Sequence, residues 1–252
     1  MPHSGVPYYI DQIRSRMVGS FIVPLQTGFD LACVCDIAID AMSLSSLQRQ
    51  RTQLKHQLLQ QIQALPSLEA LLPSQHPTID QLIADLEYLN PIDQPLDTHH
   101  HSVLLGTWDL IYASRGTVVT RNLGSGFPWS LPIQRVWQRL ARNDQADAPI
   151  ATENGATFLL PFFGELTATA KGTWQPYAEA ESAKVSFGTI GVQATRLLGI
   201  AGLHLPKLTV PVLEGLRREA LWITSYLDDD LRFGRGVTGN LFVFQRSPLQ
   251  IS

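Results

Sequence analysis

The chain is 252 residues long, 44% hydrophobic and 16% charged, with a formal net charge of −3. That length buries a sizeable core in one large β domain with additions or in two modest domains, and the composition excludes a disordered chain. Net acidity also argues against nucleic acid as a partner, because phosphate binding needs clustered cations that displace counterions.

Residues 1–42 form an N-terminal extension whose status stays open. They mix prolines and glycines with short apolar runs and show no helical or strand period. Met42 offers a second start, so the extension either precedes the main fold or joins it. Its two cysteines, Cys33 and Cys35, are too close for an ordinary disulfide, and no further thiols complete a zinc site. The start has neither the layout of a signal peptide nor the Arg- and Ser-rich composition of a transit peptide. No run reaches the roughly 18 apolar residues that span a bilayer. The expectation is a cytoplasmic or membrane-peripheral protein with no metal and no cofactor.

Residues 43–95 read as a helical segment. Leu44, Leu47, Leu54, Leu58, Ile62 and Leu65 recur at three- and four-residue steps between Gln, Arg and Lys, which predicts an amphipathic helix with one buried stripe. Pro66 and Pro73 break the chain. A second helix is predicted from Thr78, with Gln81 as capping-box partner and Ile79, Leu82, Ile83, Leu86 and Leu89 as its stripe, ending at Asn90-Pro91. The polar stretch 93–102 reads as a solvated linker, since the consecutive His99, His100 and His101 do not easily converge on one ion.

From Leu104 the period changes to two. Trp108, Leu110 and Tyr112 are predicted to share the inner face of a first strand. A Gly/Pro loop at 124–132 then carries Phe127 and Trp129, which either fold back onto the domain or form a greasy lid. Short β runs follow at 133–139, 156–160, 164–174 and 184–190, with turns at 143–148, Asn154-Gly155 and 176–182. Leu166, Ala168, Ala170 and Gly172 alternate with Thr167, Thr169, Lys171 and Thr173, and a small inward face leaves space inside a closed sheet or marks a close sheet contact. The apolar stretch 197–205 is a buried crossover or a hydrophobic lip at a cavity mouth.

The chain closes with β runs at 220–227 and 241–246, around three aspartates, Leu231-Arg-Phe-Gly-Arg235 and a Gly239-Asn240 hairpin signal. About eight short strands after a helical start predict a mainly β protein, a small closed antiparallel barrel. First and last strands are neighbours in such a closure, so Arg232, Arg235 or Arg246 is placed to stack on Trp108 of Gly106-Thr-Trp108, a contact worth about 0.5–2 kcal/mol. No phosphate loop, paired metal ligands or nucleophile elbow is present. Asp228, Asp229 and Asp230 suggest either a cation site or, the better explanation beside Arg232 and Arg235, turn capping and ion pairing. A carboxylate beside arginines has a lowered pKa, poor for general acid work, so catalytic residues are not expected.

The first-strand motif Leu105-Gly-Thr-Trp-Asp-Leu-Ile-Tyr-Ala-Ser114 and the closing Tyr226-Leu-Asp-Asp-Asp-Leu-Arg-Phe-Gly-Arg-Gly236 with Gly239-Asn-Leu-Phe-Val243 resemble the plastid lipid-associated protein (PAP/fibrillin) family. The helix ending Leu86-Glu-Tyr-Leu-Asn-Pro91 is similar to that family's opening. The resemblance covers about residues 43–247 and implies a lipocalin-like antiparallel β-barrel over 103–247. It implies binding or organising of isoprenoid, prenylquinone, carotenoid or lipid molecules at thylakoid membranes or lipid globules (plastoglobules) of a cyanobacterium-like cell. It singles out Asp228, Asp230, Arg232, Arg235 and Gly236, while Phe233-Gly234 stands where the family commonly has Ile-Ser. Trp108, Tyr112, Phe158, Phe187, Trp222 and Tyr226 are the expected cavity wall, with Phe127 and Trp129 at its mouth. Two other readings stand beside this one. One is a scaffold whose 43–65 helix recruits an isoprenoid-pathway enzyme or coats a lipid globule, and the other is an enzyme on a hydrophobic substrate.

Overall fold

Period-two alternation after Leu105 sets the architecture, and the computed structural model shows one antiparallel sheet built from it. The structure describes residues 32–66, 69–71, 76–114, 133–144, 147–160, 164–177, 182–197, 208–211, 220–236 and 239–248. Phe127, Trp129 and most of the apolar 197–205 stretch lie outside the described residues.

The described strands are β1 (Gly106–Ala113), β2 (Ile133–Arg142), β3 (Ile150–Leu160), β4 (Gly164–Tyr177) and β5 (Ser182–Leu197), then β6 (Leu208–Pro211), β7 (Ala220–Leu227), β8 (Leu231–Gly236) and β9 (Leu241–Arg246). Their order is β4-β3-β2-β1-β9-β8-β7-β5-β6, and β4 also pairs with β5. Hydrogen bonding therefore runs in a ring, with β6 set on the edge of β5 at 189–192 while β7 joins that same edge at 182–185. Side chains from around the ring, among them Trp108, Leu140, Ile150, Trp174, Val185 and Phe244, meet in one inner cluster.

Helices cover part of the outer face. Helix α1 (Ala32–Ala64) and helix α2 (Pro77–Tyr88) pack Leu58, Ile62, Ile79, Ile83 and Leu86 against Tyr226, Leu231, Phe233, Leu241 and Val243. The predicted α1 stripe divides, since Leu58 is buried whereas Leu44 and Leu47 are exposed. The expected capping box is not formed. Helix α2 starts at Pro77, which needs no N–H donor there, with His76 as N-cap and no side-chain cap bond. The expected linker is also ordered as a 3-10 turn, Thr98–His100, and helix α3, His101–Leu104, with His101 buried.

Two β-bulges correct the expected inner wall. The β1–β9 register slips between Leu110 and Tyr112, and the β7–β8 register slips between Thr224 and Tyr226. An extra residue flips everything beyond it to the other face. Trp108 and Trp222 thus stay inside, whereas Tyr112 and Tyr226 leave the inner face and join the helix-covered cluster. A third correction concerns Asn154-Gly155, which is strand rather than turn. Gly155 lies opposite Trp137, and a Cβ there would come 2.2 Å from the indole, so glycine is required by the crossing ring.

Candidate ligand-binding site

One end of the ring is closed by residues from its first and last strands. Gly106 takes a φ of 133°, and a Cβ on it would meet Arg246 Nη1 at 2.9 Å. Arg246 lies opposite Trp108, with its guanidinium carbon 4.2 Å from that ring centroid. It donates to the carbonyls of Asp229 at 2.6 Å and Leu105 at 3.1 Å, and also to that of Val103. Trp108 Nε1 donates to Leu104 O at 2.9 Å. Helix α3 and the aspartate turn are thereby drawn over the end of the ring.

Next to this cap sits Arg232, fully buried on the inner face. Its guanidinium carbon lies 5.3 Å from the Trp108 ring, 5.6 Å from Trp174 and 4.5 Å from Phe244. Nη2 donates to Gln138 Oε1 at 2.5 Å, and Gln138 Nε2 donates to Asn154 Oδ1 at 2.8 Å. Thr152 Oγ1 donates to the same Asn154 oxygen at 3.4 Å. Burial, helped by the charge of Arg246, pushes the Arg232 pKa down to about 9. It remains a cation at neutral pH, held between the rings of Trp108, Trp174 and Phe244 and the amide of Gln138.

Beyond this polar tier the inner face turns small and aliphatic. Register pairs Asn154 with Ala170 and Ala170 with Ile190, then Ala156 with Ala168 and Ala168 with Val192, then Phe158 with Leu166. Ile190 is 49% and Val192 37% exposed, so this half of the inner face is accessible along β5, while Ala156 and Phe158 on β3 are buried. Phe187 and Trp222 are partly buried against the inner cluster and Phe158 is buried. Of the expected wall, Trp108, Phe187 and Trp222 come together in the inner cluster, while Phe158 lies further along β3, in register with Ile133 and Leu166. Gln138, Asn154, Thr152 and Trp174 were not anticipated. Gln138 between Val136 and Leu140 on one face of β2 was the available signal, a polar residue at an inward position.

The remaining motif residues work on the outer face. Asp228 Oδ1 accepts the N–H groups of Asp230 and Leu231, and its Oδ2 accepts from Lys55 Nζ at 2.7 Å and from Tyr226 Oη at 2.6 Å. Burial opposes ionisation of Asp228, but the Lys55 and Tyr226 hydrogen bonds outweigh it and lower its pKa. Asp230 accepts from Lys55 at 2.9 Å. Arg235 forms a two-pronged bond to Glu87 of α2, both contacts 2.7 Å. Turn capping and ion pairing are thus observed, with correction of the partners: Lys55 and Glu87 come from the helices, and Arg232 points inward instead. Gly236 pairs with Trp222 across β7–β8 and opens the Gly239-Asn240 hairpin.

The PAP_fibrillin family model matches residues 52–245. Among curated proteins, the probable plastid-lipid-associated protein 5, chloroplastic, of Arabidopsis thaliana is similar, at 25% identity over 199 residues, covering 77% of this chain and 70% of that protein. No solved structure matches.

Proposed function

The chain belongs to the PAP_fibrillin family, and from that membership we propose that it binds or organises a hydrophobic small molecule of the isoprenoid, prenylquinone, carotenoid or lipid class. The observation that carries this reading is the accessible, small-residue half of the inner face, set against an end closed by Trp108 and Arg246. In this reading the ring acts as a lipocalin-like barrel, and Phe158, Phe187 and Trp222 form the wall around an apolar tail. Burial of apolar ligand surface supplies most of the affinity, at about 25 cal/mol per Å² before ordering costs.

The protein then works as a binder and not as an enzyme. Asp228, the candidate acid/base, is engaged as a turn cap and as the Lys55 partner. The place of action in this reading is the surface of a thylakoid-type membrane or lipid globule, and the name of the plastid-lipid-associated, chloroplastic relative supports association with lipid. Native mass spectrometry of the protein purified from its own membranes should show a co-purifying hydrophobic ligand. Repeated absence of one, with the inner space filled by side chains in a crystal structure, would overturn the proposal.

A further inference from the structure

Buried donors without acceptors call for an explanation, because nearly all such groups in folded proteins are paired. Among the described residues, five on the inner face remain: Arg232 Nε and Nη1, Trp174 Nε1, Trp222 Nε1 and Thr224 Oγ1. Among the described residues Arg232 has no carboxylate partner, and the charge acting on it is the like charge of Arg246. Aromatic rings and Gln138 compensate it only in part. Each of these unmet groups can donate a hydrogen bond, and the charge among them, on Arg232, is positive.

We propose that Arg232 and its polar tier receive the carboxylate head of a long-chain amphiphile whose tail lies along Leu166, Ala168, Ala170, Ile190 and Val192. The proposal rests on the hydrophobic-binding reading above and adds the head group. Position supports it, since Gln138 is in register with Asn154, Ala170 and Ile190, where the packed end meets the accessible half. A carboxylate supplies two acceptor oxygens for the planar guanidinium fork together with the missing negative charge. A quinone or ester carbonyl supplies acceptors without the charge. A phosphate would call for a second cation, and Arg246 is committed to three carbonyl oxygens at the closed end.

The test is titration of the full chain with monomeric oleate, methyl oleate and a neutral quinone carrying a decyl tail, followed by tryptophan fluorescence at neutral pH. Oleate should bind about ten-fold tighter than methyl oleate. Arg232→Met should remove that difference, weakening oleate by about ten-fold more than methyl oleate. Should Arg232→Met not fold, Gln138→Glu provides the second variant, expected to remove the oleate preference by giving Arg232 a carboxylate partner of its own. Equal binding of oleate and its methyl ester by the unaltered protein overturns the proposal, as does a preference that survives in Arg232→Met. Quinone binding as tight as oleate overturns the charged head group alone and leaves the hydrophobic site standing. Binding of none of the three overturns both readings.

Discussion

Trp108 and Arg246 face each other across the β1–β9 ladder, the guanidinium carbon 4.2 Å from the indole centroid. The same guanidinium holds carbonyl oxygens of Leu105, Val103 and Asp229, so one side chain ties the first strand, the helix before it and the β7–β8 turn together. Arg246→Ala should destabilise the fold by roughly 2–4 kcal/mol through loss of charged hydrogen bonds and the ring contact. Arg246→Lys should recover only part, since a point charge cannot reach three carbonyls on a planar fork. Urea denaturation of the two variants checks this, and equal stability of both with the unaltered chain would refute it.

Gly234 lies directly against the Trp222 indole, where there is no room for a side chain. A Cβ there would lie 1.7 Å from Cζ2 of Trp222, whose indole crosses the β8 backbone. Gly234→Ser should cost about 1–3 kcal/mol by overpacking. In a Trp222→Leu background the same change should cost far less. A double-mutant cycle measures the coupling, and strict additivity would show that the ring moves aside freely.

The closure of the sheet was legible because period-two alternation and an antiparallel ring force first and last strands together. The Gly239-Asn240 hairpin was legible for a local reason, and Gly239 has the positive φ of 75° that such a turn uses. The bulges at Ile111 and Ser225 leave no mark in the alternation, so Tyr112 and Tyr226 were put on the wrong face. Asn154-Gly155 misled in the same way, because its glycine answers to Trp137 on the neighbouring strand and its asparagine to Gln138. Ion-pair partners were equally nonlocal, as Lys55 and Glu87 reach the closing motif only after the helices dock.

Acid should loosen the helix–sheet contact. The folded-state pKa of Asp228 is held below its ordinary value, so its contribution is present above the unfolded pKa of about 3.9 and lost as pH falls through the lower folded value. Lys55 runs the other way. Burial lowers its pKa, but hydrogen bonds to Asp228 and Asp230 prevail and raise it, so its stabilisation is lost only as pH climbs through that raised value. Denaturation midpoints should therefore fall on the acid side of about pH 4, and Asp228→Asn should flatten that limb. An unchanged acid limb in Asp228→Asn would rule this out.

The divided stripe of α1 predicts opposite outcomes along one helix. Leu58→Asp places a carboxylate in a fully buried apolar site and should cost about 3–5 kcal/mol, freeing α1 to proteolysis. Leu47→Asp, at a side chain 40% exposed, should change stability by less than about 0.5 kcal/mol. Limited proteolysis with denaturation curves separates the two, and similar effects at both positions would contradict the packing.

Gln138 is the acceptor that Arg232 has inside the ring, and its own amide passes the interaction on to Asn154. Gln138→Leu leaves a buried cation with no hydrogen-bonded acceptor and should destabilise by about 3 kcal/mol. Removing both partners has a different sign of consequence, because an apolar pair carries no desolvation penalty. Gln138→Leu with Arg232→Met should regain most of the loss and approach or exceed the starting stability. Thermal and urea unfolding of the two singles and the double give the coupling directly. If Gln138→Leu costs no more than an ordinary polar-to-apolar change, the aromatic rings of Trp108, Trp174 and Phe244 suffice to hold the charge, and the hydrogen-bonded tier is not what keeps Arg232 in the core.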